Sequence, residues 1–156
     1  MVAHSISVDS ERLSGLIGLG YELPLGSEPS SPEHSHEAAR AFVDEAARVF
    51  GCRLATLEYD YASEPGCSLL VAGGLEGFEE AFHSMRALNV EDDYLSRMRA
   101  PPQGTILLGS EILGTDEMRR SPSYIALAKP WQLEHFLIAC VLNRDGSAAR
   151  FGLARA

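Results

Sequence analysis

Leu133-Glu134-His135-Phe136-Leu137-Ile138-Ala139-Cys140-Val141-Leu142, then Asn143-Arg144-Asp145-Gly146, then Ser147-Ala148-Ala149-Arg150-Phe151-Gly152-Leu153-Ala154-Arg155: this stretch near the end of the chain sets the architecture. Two β-prone runs flank a short loop that holds Asp-Gly, whose glycine accepts the positive φ of a tight turn. The pair predicts an antiparallel hairpin. In its first run Leu133, Leu137, Ala139 and Val141 alternate with Phe136, Ile138, Cys140 and Leu142. A strand apolar on both sides predicts a central position covered twice.

Working back from the hairpin, Lys129-Pro130 ends an element that opens at Ser121-Pro122, an N-cap residue followed by proline at the first helical position. A short helix is predicted before it, from Ser110 or Thr115 to Arg120. A third strand is predicted over 105–108, entered through Pro101-Pro102-Gln103-Gly104. Segment 75–88 puts Phe78, Ala81, Phe82 and Met85 on one helical face. Asn89 is predicted to cap a second helix that stops before Pro101 and turns Tyr94, Leu95 and Met98 inward. Glu91, Asp92 and Asp93 would lie in its first turn, where the helix dipole favours negative charge.

Residues 53–61 alternate Ala55, Leu57 and Tyr59 with Leu54, Thr56 and Glu58, and Glu64-Pro65-Gly66 turns the chain into a second run over 67–72. These predict the first hairpin. Upstream, Ala39, Phe42, Val43, Ala46, Ala47 and Phe50 recur at helical spacing over 37–50, with Gly51 as the stop. Segment 22–35 changes to Pro, Ser, Gly and Glu and reads as a loop. A short helix over 11–21 carries Leu13, Leu16, Ile17 and Leu19. The predicted fold class is α+β: a five-stranded antiparallel sheet with helices between strands two and three, and an N-terminal helix. The predicted division is a helix and Ser/Pro loop over 1–36 and one sensory-type domain over 37–156.

The 156 residues suffice for one real core. A net charge of −9, with a single lysine at Lys129, argues against this chain gripping phosphate backbones itself. No run approaches the ~18 apolar residues of a membrane span. The start of the chain lacks a basic segment followed by an apolar one. Cys52, Cys67 and Cys140 are widely spaced and beside apolar runs, which fits reduced buried thiols in a cytoplasmic protein.

The element order, helix-strand-strand-helices-strand-helical insert-strand-strand, looks like the PAS/GAF group of sensory folds. The local sequence resembles the N-terminal sensory region of LuxR-family helix-turn-helix transcriptional regulators. That resemblance rests on Pro101-Pro102-Gln103-Gly104-Thr105, on Glu117-Met118-Arg119-Arg120-Ser121-Pro122-Ser123-Tyr124, on Gln132-Leu133-Glu134-His135 and on Arg144-Asp145-Gly146. Leu16-Ile17-Gly18-Leu19-Gly20-Tyr21 adds to it near the start. Two departures stand out. Pro24-Leu25-Gly26-Ser27 replaces the Asp-Pro and Trp often found after the first helix, and no helix-turn-helix follows Arg155. The resemblance implies a non-enzymatic, cytoplasmic signal-sensing domain, a homodimer, that binds a small organic ligand. DNA would be reached only through a C-terminal helix-turn-helix not present here. The alternative is a ligand-free dimerisation module with helix 11–21 as its contact surface.

In a PAS-like arrangement the helices between strands two and three close over the sheet and leave a mostly apolar pocket. The candidate ligand-binding residues are therefore the aromatic and sulfur-bearing ones: Tyr59, Phe82, Met85, Tyr94, Met98, Tyr124, Trp131 and His135. Tyr59, Tyr94 and His135 would supply polar groups, and Trp131 needs a partner for its indole N–H when buried.

Other clusters carry less. Glu33-His34-Ser35-His36-Glu37 could chelate only if extended, because helical positions two apart face about 200° away from each other. Glu58 and Asp60 share one face of the first strand and are expected on a solvated edge. No Gly-rich run has a phosphate-loop context. Acid/base chemistry would require Glu58, His83 and His135 to converge. No metal site is expected, and nothing in the sequence specifies a cofactor.

Overall fold

The computed structural model describes residues 10–21, 23, 32–60, 68–88 and 92–156. Its five strands are β1 (Leu54–Asp60), β2 (Ser68–Gly73), β3 (Ile106–Leu108), β4 (His135–Arg144) and β5 (Ser147–Arg155). They pair antiparallel throughout, in the order β2-β1-β5-β4-β3. Helices α1 (Ser10–Tyr21) and α2 (Pro32–Phe50) precede the sheet, and α3 (Phe78–Ala87) and α4 (Asp93–Arg99) lie between β2 and β3. Between β3 and β4 run α5 (Gly109–Ile112), α6 (Thr115–Arg120), α7 (Pro122–Leu127) and a 3-10 turn, Lys129–Trp131. The α+β class, the strand count and the placement of the helices match the expectation from the sequence.

The closing hairpin turns on two residues. Asp145 (φ 53°) and Gly146 (φ 79°) both take positive φ, and Arg144 faces Ser147 across them. A two-residue turn of this hand matches the right-handed twist of the strands it joins.

The central strand is β5, not β4. β4 lies next to the short β3, so its far side has little cover. The expected alternation in β4 also fails part-way. Cys140 pairs with Arg150 but Leu142 pairs with Ala149, which leaves Val141 as the extra residue of a β-bulge. An inserted residue reverses which face each later side chain meets. Leu142 thus joins Ala149 in a different core layer from Ile138.

Each face of the sheet has its own core. On one, α2 lays Val43, Ala46 and Ala47 against Ala55, Leu57, Val71 and Ala149, with α1 packed outside through Leu16. Close approach requires Gly73, because a Cβ there would lie 2.6 Å from Asp44 Oδ1 and 2.8 Å from the α2 backbone. On the other face Phe78, Phe82, Leu95, Tyr124 and Leu133 cover Leu54, Leu70, Ile138 and Ala154.

The edge strand β2 is closed by side chains from both layers. Ala72 N–H donates to Glu79 Oε1 at 2.6 Å, and Ala72 C=O accepts from Arg40 Nη1 at 2.6 Å. Arg40 Nη2 and Glu79 Oε1 pair at 2.6 Å. Ladder groups satisfied in this way do not template another strand.

Several local expectations change. Helix α2 begins at Pro32 rather than Glu37 and so includes both His34 and His36. That spacing in a helix removes the extended geometry chelation would need. Among the described residues no three His, Cys, Asp or Glu side chains gather as a metal site. Asp92 caps α4, accepting from Leu95 N–H at 3.0 Å. Asn89, the Glu64-Pro65-Gly66 turn, Cys67 and Pro24-Leu25-Gly26-Ser27 lie outside the described residues. Among the described residues, no helix is long and apolar enough to cross a membrane.

Candidate functional site

A cavity of about 120 Å³ lies between the sheet and the lid formed by α3, α4 and α7. Its floor comes from alternate positions on the strands: Leu54, Thr56 and Glu58 of β1, and Arg150, Gly152 and Ala154 of β5. The pairing Glu58↔Arg150, Thr56↔Gly152 and Leu54↔Ala154 puts these side by side on one face. Gly152 contributes depth: a Cβ there would lie 2.5 Å from Thr56 Oγ1.

One carboxylate ties two of the lid helices, α4 and α7, together. Asp92 Oδ1 caps α4, while Asp92 Oδ2 accepts from Ser123 N–H at 2.7 Å in the first turn of α7. Ser121 Oγ accepts from Tyr124 N–H at 3.2 Å and donates to Met118 C=O at 2.8 Å. Helices of seven and six residues are far below the roughly 12–15 that are stable alone. These caps and the packing beneath must carry them. They aim Tyr94 and Met98 from α4, and Tyr124 and Leu127 from α7, at the cavity. Tyr124 meets Phe136 of β4 edge to face, ring centroids 6.4 Å apart.

The walls are almost wholly apolar, and the exceptions are informative. Tyr94 is 8% exposed, and among the described residues its hydroxyl has no hydrogen-bond partner. Burial first, then the Asp92 carboxylate, push its pKa from 10 up to about 12. It is therefore a neutral phenol at physiological pH. A buried hydroxyl without a partner costs about 1–3 kcal/mol.

At the other end lies a buried ionic cluster. Arg99 Nη2 pairs with Glu58 Oε1 at 3.0 Å. Arg150 Nη1 pairs with Asp60 Oδ2 at 2.6 Å and with Glu58 Oε2 at 3.7 Å. Arg150 Nε is buried and, among the described residues, also lacks a partner.

Of the eight residues singled out from the sequence, the structure brings Phe82, Tyr94, Met98 and Tyr124 together around the cavity. Tyr59 lies on the opposite face of β1, in the core beneath α2, because strand side chains alternate. Met85 is buried in the core of the lid side but does not line the cavity. Trp131 packs on Phe78 with ring centroids 5.5 Å apart, and its carbonyl accepts from Arg53 Nη1 at 2.8 Å. His135 is exposed.

Glu58 corrects another expectation: it is 4% exposed, not on a solvated edge, because β2 and β5 flank β1 and Arg99 reaches down from α4. His83 and His135 are exposed, so they do not gather around this buried carboxylate. Thr56, Arg150, Gly152 and Ser123 also line the cavity, and none of them stands out in the sequence as a site residue. Only Arg150 gave a signal, as a charge amid the small and apolar residues of a predicted strand.

No family model matches this chain, and no curated protein sequence does. A solved structure is similar: the N-acylhomoserine lactone-dependent LuxR-family transcription factor CepR2 from Burkholderia cenocepacia. The likeness has a TM-score of 0.55 at 14% identity and covers 94% of this chain and 79% of that one. The two chains share a fold. At this identity the likeness speaks for the fold alone.

Proposed function

We propose that this chain is the signal-sensing domain of a LuxR-type transcriptional regulator and binds a small organic molecule in the cavity between sheet and lid. The observation that carries the reading is the apolar cavity with a deeply buried Tyr94 hydroxyl in its wall that has no partner among the described residues. Native interiors seldom leave such a group unmet. A ligand touching Tyr94 and Tyr124 would stabilise one packing of α4 and α7, and Asp92 ties those two helices together. The signal is then a population shift among lid packings. The strand order supports describing the domain as PAS/GAF-like. In this reading the protein works in the cytoplasm as a homodimer, without catalysis, and a helix-turn-helix outside this sequence contacts DNA.

Thermal unfolding against a chemically diverse set of small compounds tests the reading. A ligand at a hundredfold excess over its Kd adds about 2.7 kcal/mol, or roughly 5–10 °C for a chain of this size. A flat response across the whole set would refute it.

A second reading, a ligand-free dimerisation module, draws on exposed apolar residues. Ile17 of α1 is 52% exposed, and Ile106 and Leu108 of β3 are 64% and 49% exposed on the face away from the cavity. Sedimentation separates the two readings: a dimer that Ile106→Asp or Ile17→Asp breaks, coupled with no ligand response, favours the second.

A further inference from the structure

We propose that the cavity selects a neutral, ring-sized compound bearing a carbonyl-type hydrogen-bond acceptor, and disfavours both carboxylates and long acyl chains. This inference rests on the ligand-sensing reading above and specifies the class of molecule.

Size sets the first limit. A cavity of roughly 150 Å³ lined by Leu, Ile and Phe holds benzene. The space here, about 120 Å³, is of the same order and suits one ring, not an extended chain. Gly152 is part of that space, and Phe82, Met98 and Leu127 close it with apolar surface.

Polarity sets the second. On the lining, two buried groups have no partner among the described residues: Tyr94 Oη and Arg150 Nε. Arg150 Nε can only donate, and a Tyr94 hydroxyl that keeps its proton has one to give. An acceptor on the ligand meets both groups, whereas a ligand donor could meet only the phenol oxygen of Tyr94 and would leave Arg150 Nε unmatched. An unmatched donor in the cavity wall discriminates strongly against an isostere without the acceptor.

Charge sets the third. Two guanidiniums, Arg99 and Arg150, already face two carboxylates, Glu58 and Asp60, so the cluster is neutral as it stands. The Asp92 carboxylate acts on Tyr94 from the lid side. An anionic ligand would add an uncompensated buried charge next to these carboxylates, which is unfavourable in a low-dielectric site. A carbonyl oxygen satisfies the donors without disturbing that balance.

The test is a titration calorimetry series on the wild-type chain with four probes. These are cyclohexanone, its isostere methylenecyclohexane, cyclohexanecarboxylate and N-decanoylhomoserine lactone. Cyclohexanone is expected to bind at least about tenfold more tightly than methylenecyclohexane, the size of one well-placed hydrogen bond. The carboxylate and the long-chain lactone are expected to bind more weakly than cyclohexanone. In Tyr94→Phe, which conserves volume, the cyclohexanone-to-methylenecyclohexane preference is expected to shrink towards one. Should the lactone or the carboxylate bind as well as cyclohexanone, or the wild type show no preference for cyclohexanone over methylenecyclohexane, the proposed class is wrong while sensing stands; a preference that survives in Tyr94→Phe overturns the Tyr94 contact and assigns the acceptor to Arg150 Nε. Binding by none of the four, together with a flat response to the diverse compound set, removes the sensing reading itself.

Discussion

Removing the Asp92 carboxylate should loosen the lid more than any other single exposed or half-exposed change. Asp92→Ala deletes two hydrogen bonds at once, to Leu95 N–H at 3.0 Å and to Ser123 N–H at 2.7 Å. Capping residues contribute about 1 kcal/mol each, and charged acceptors lie at the upper end of the range. The expected loss is about 2–3 kcal/mol, or roughly 5–10 °C in Tm for a chain of this size. Asp92→Asn keeps one side-chain oxygen as acceptor for α4 and should lose only about 1 kcal/mol. Because Asp92 spans the starts of α4 and α7, the alanine variant should also weaken binding of any cavity ligand. Urea unfolding followed by circular dichroism, with ligand titration on the same samples, measures both. An Asp92→Ala variant within about 0.5 kcal/mol of wild type, or one no less stable than Asp92→Asn, would refute the idea that one side chain holds the two helices.

Three further outcomes follow from the same geometry. Glu58→Leu and Arg150→Leu should each cost about 3–5 kcal/mol by stranding a buried charge, and the double variant should cost much less than their sum; additive losses in a double-mutant cycle would contradict the ionic cluster. The folded-state pKa of Tyr94 is raised from 10 to about 12, so its contribution is complete below pH 10 and fades as pH climbs through 12. The resulting loss is about 2–3 kcal/mol, and Tyr94→Phe should remove that part of the alkaline slope in pH-dependent urea melts. Gly73→Val should cost at least about 1–3 kcal/mol by pushing α2 off β2, and unchanged stability would contradict the 2.6–2.8 Å approach to Asp44 and its backbone.

Much of the frame was legible from residue order because it is local. Asp145-Gly146 named its turn through the positive φ both positions adopt. Ser121-Pro122 named a helix start, and the spacing from Ala39 to Phe50 named the buried stripe of α2. Half of the candidate site was legible too: Phe82, Tyr94, Met98 and Tyr124 lie on the inner faces of short helices whose period can be counted. Tyr59 shows where such counting stops. Alternation separates the two faces of β1 but cannot say which of them α2 covers and which the lid covers. The bulge at Val141 is a similar case, since one extra residue carries no compositional mark yet exchanges the faces of everything after it.

Periodicity, capping and turn chemistry thus determined the antiparallel α+β class and the position of α3 and α4 between strands two and three, because each acts over a few residues. Only the folded arrangement decided that Glu58, distant in sequence from Arg150, shares a buried ionic cluster with it, and that Tyr94 faces a cavity with its hydroxyl unpartnered among the described residues. Those facts depend on which strands lie side by side and which helix packs above them. Pairing between distant segments is settled by packing and desolvation of the whole chain, and no short window of sequence contains it.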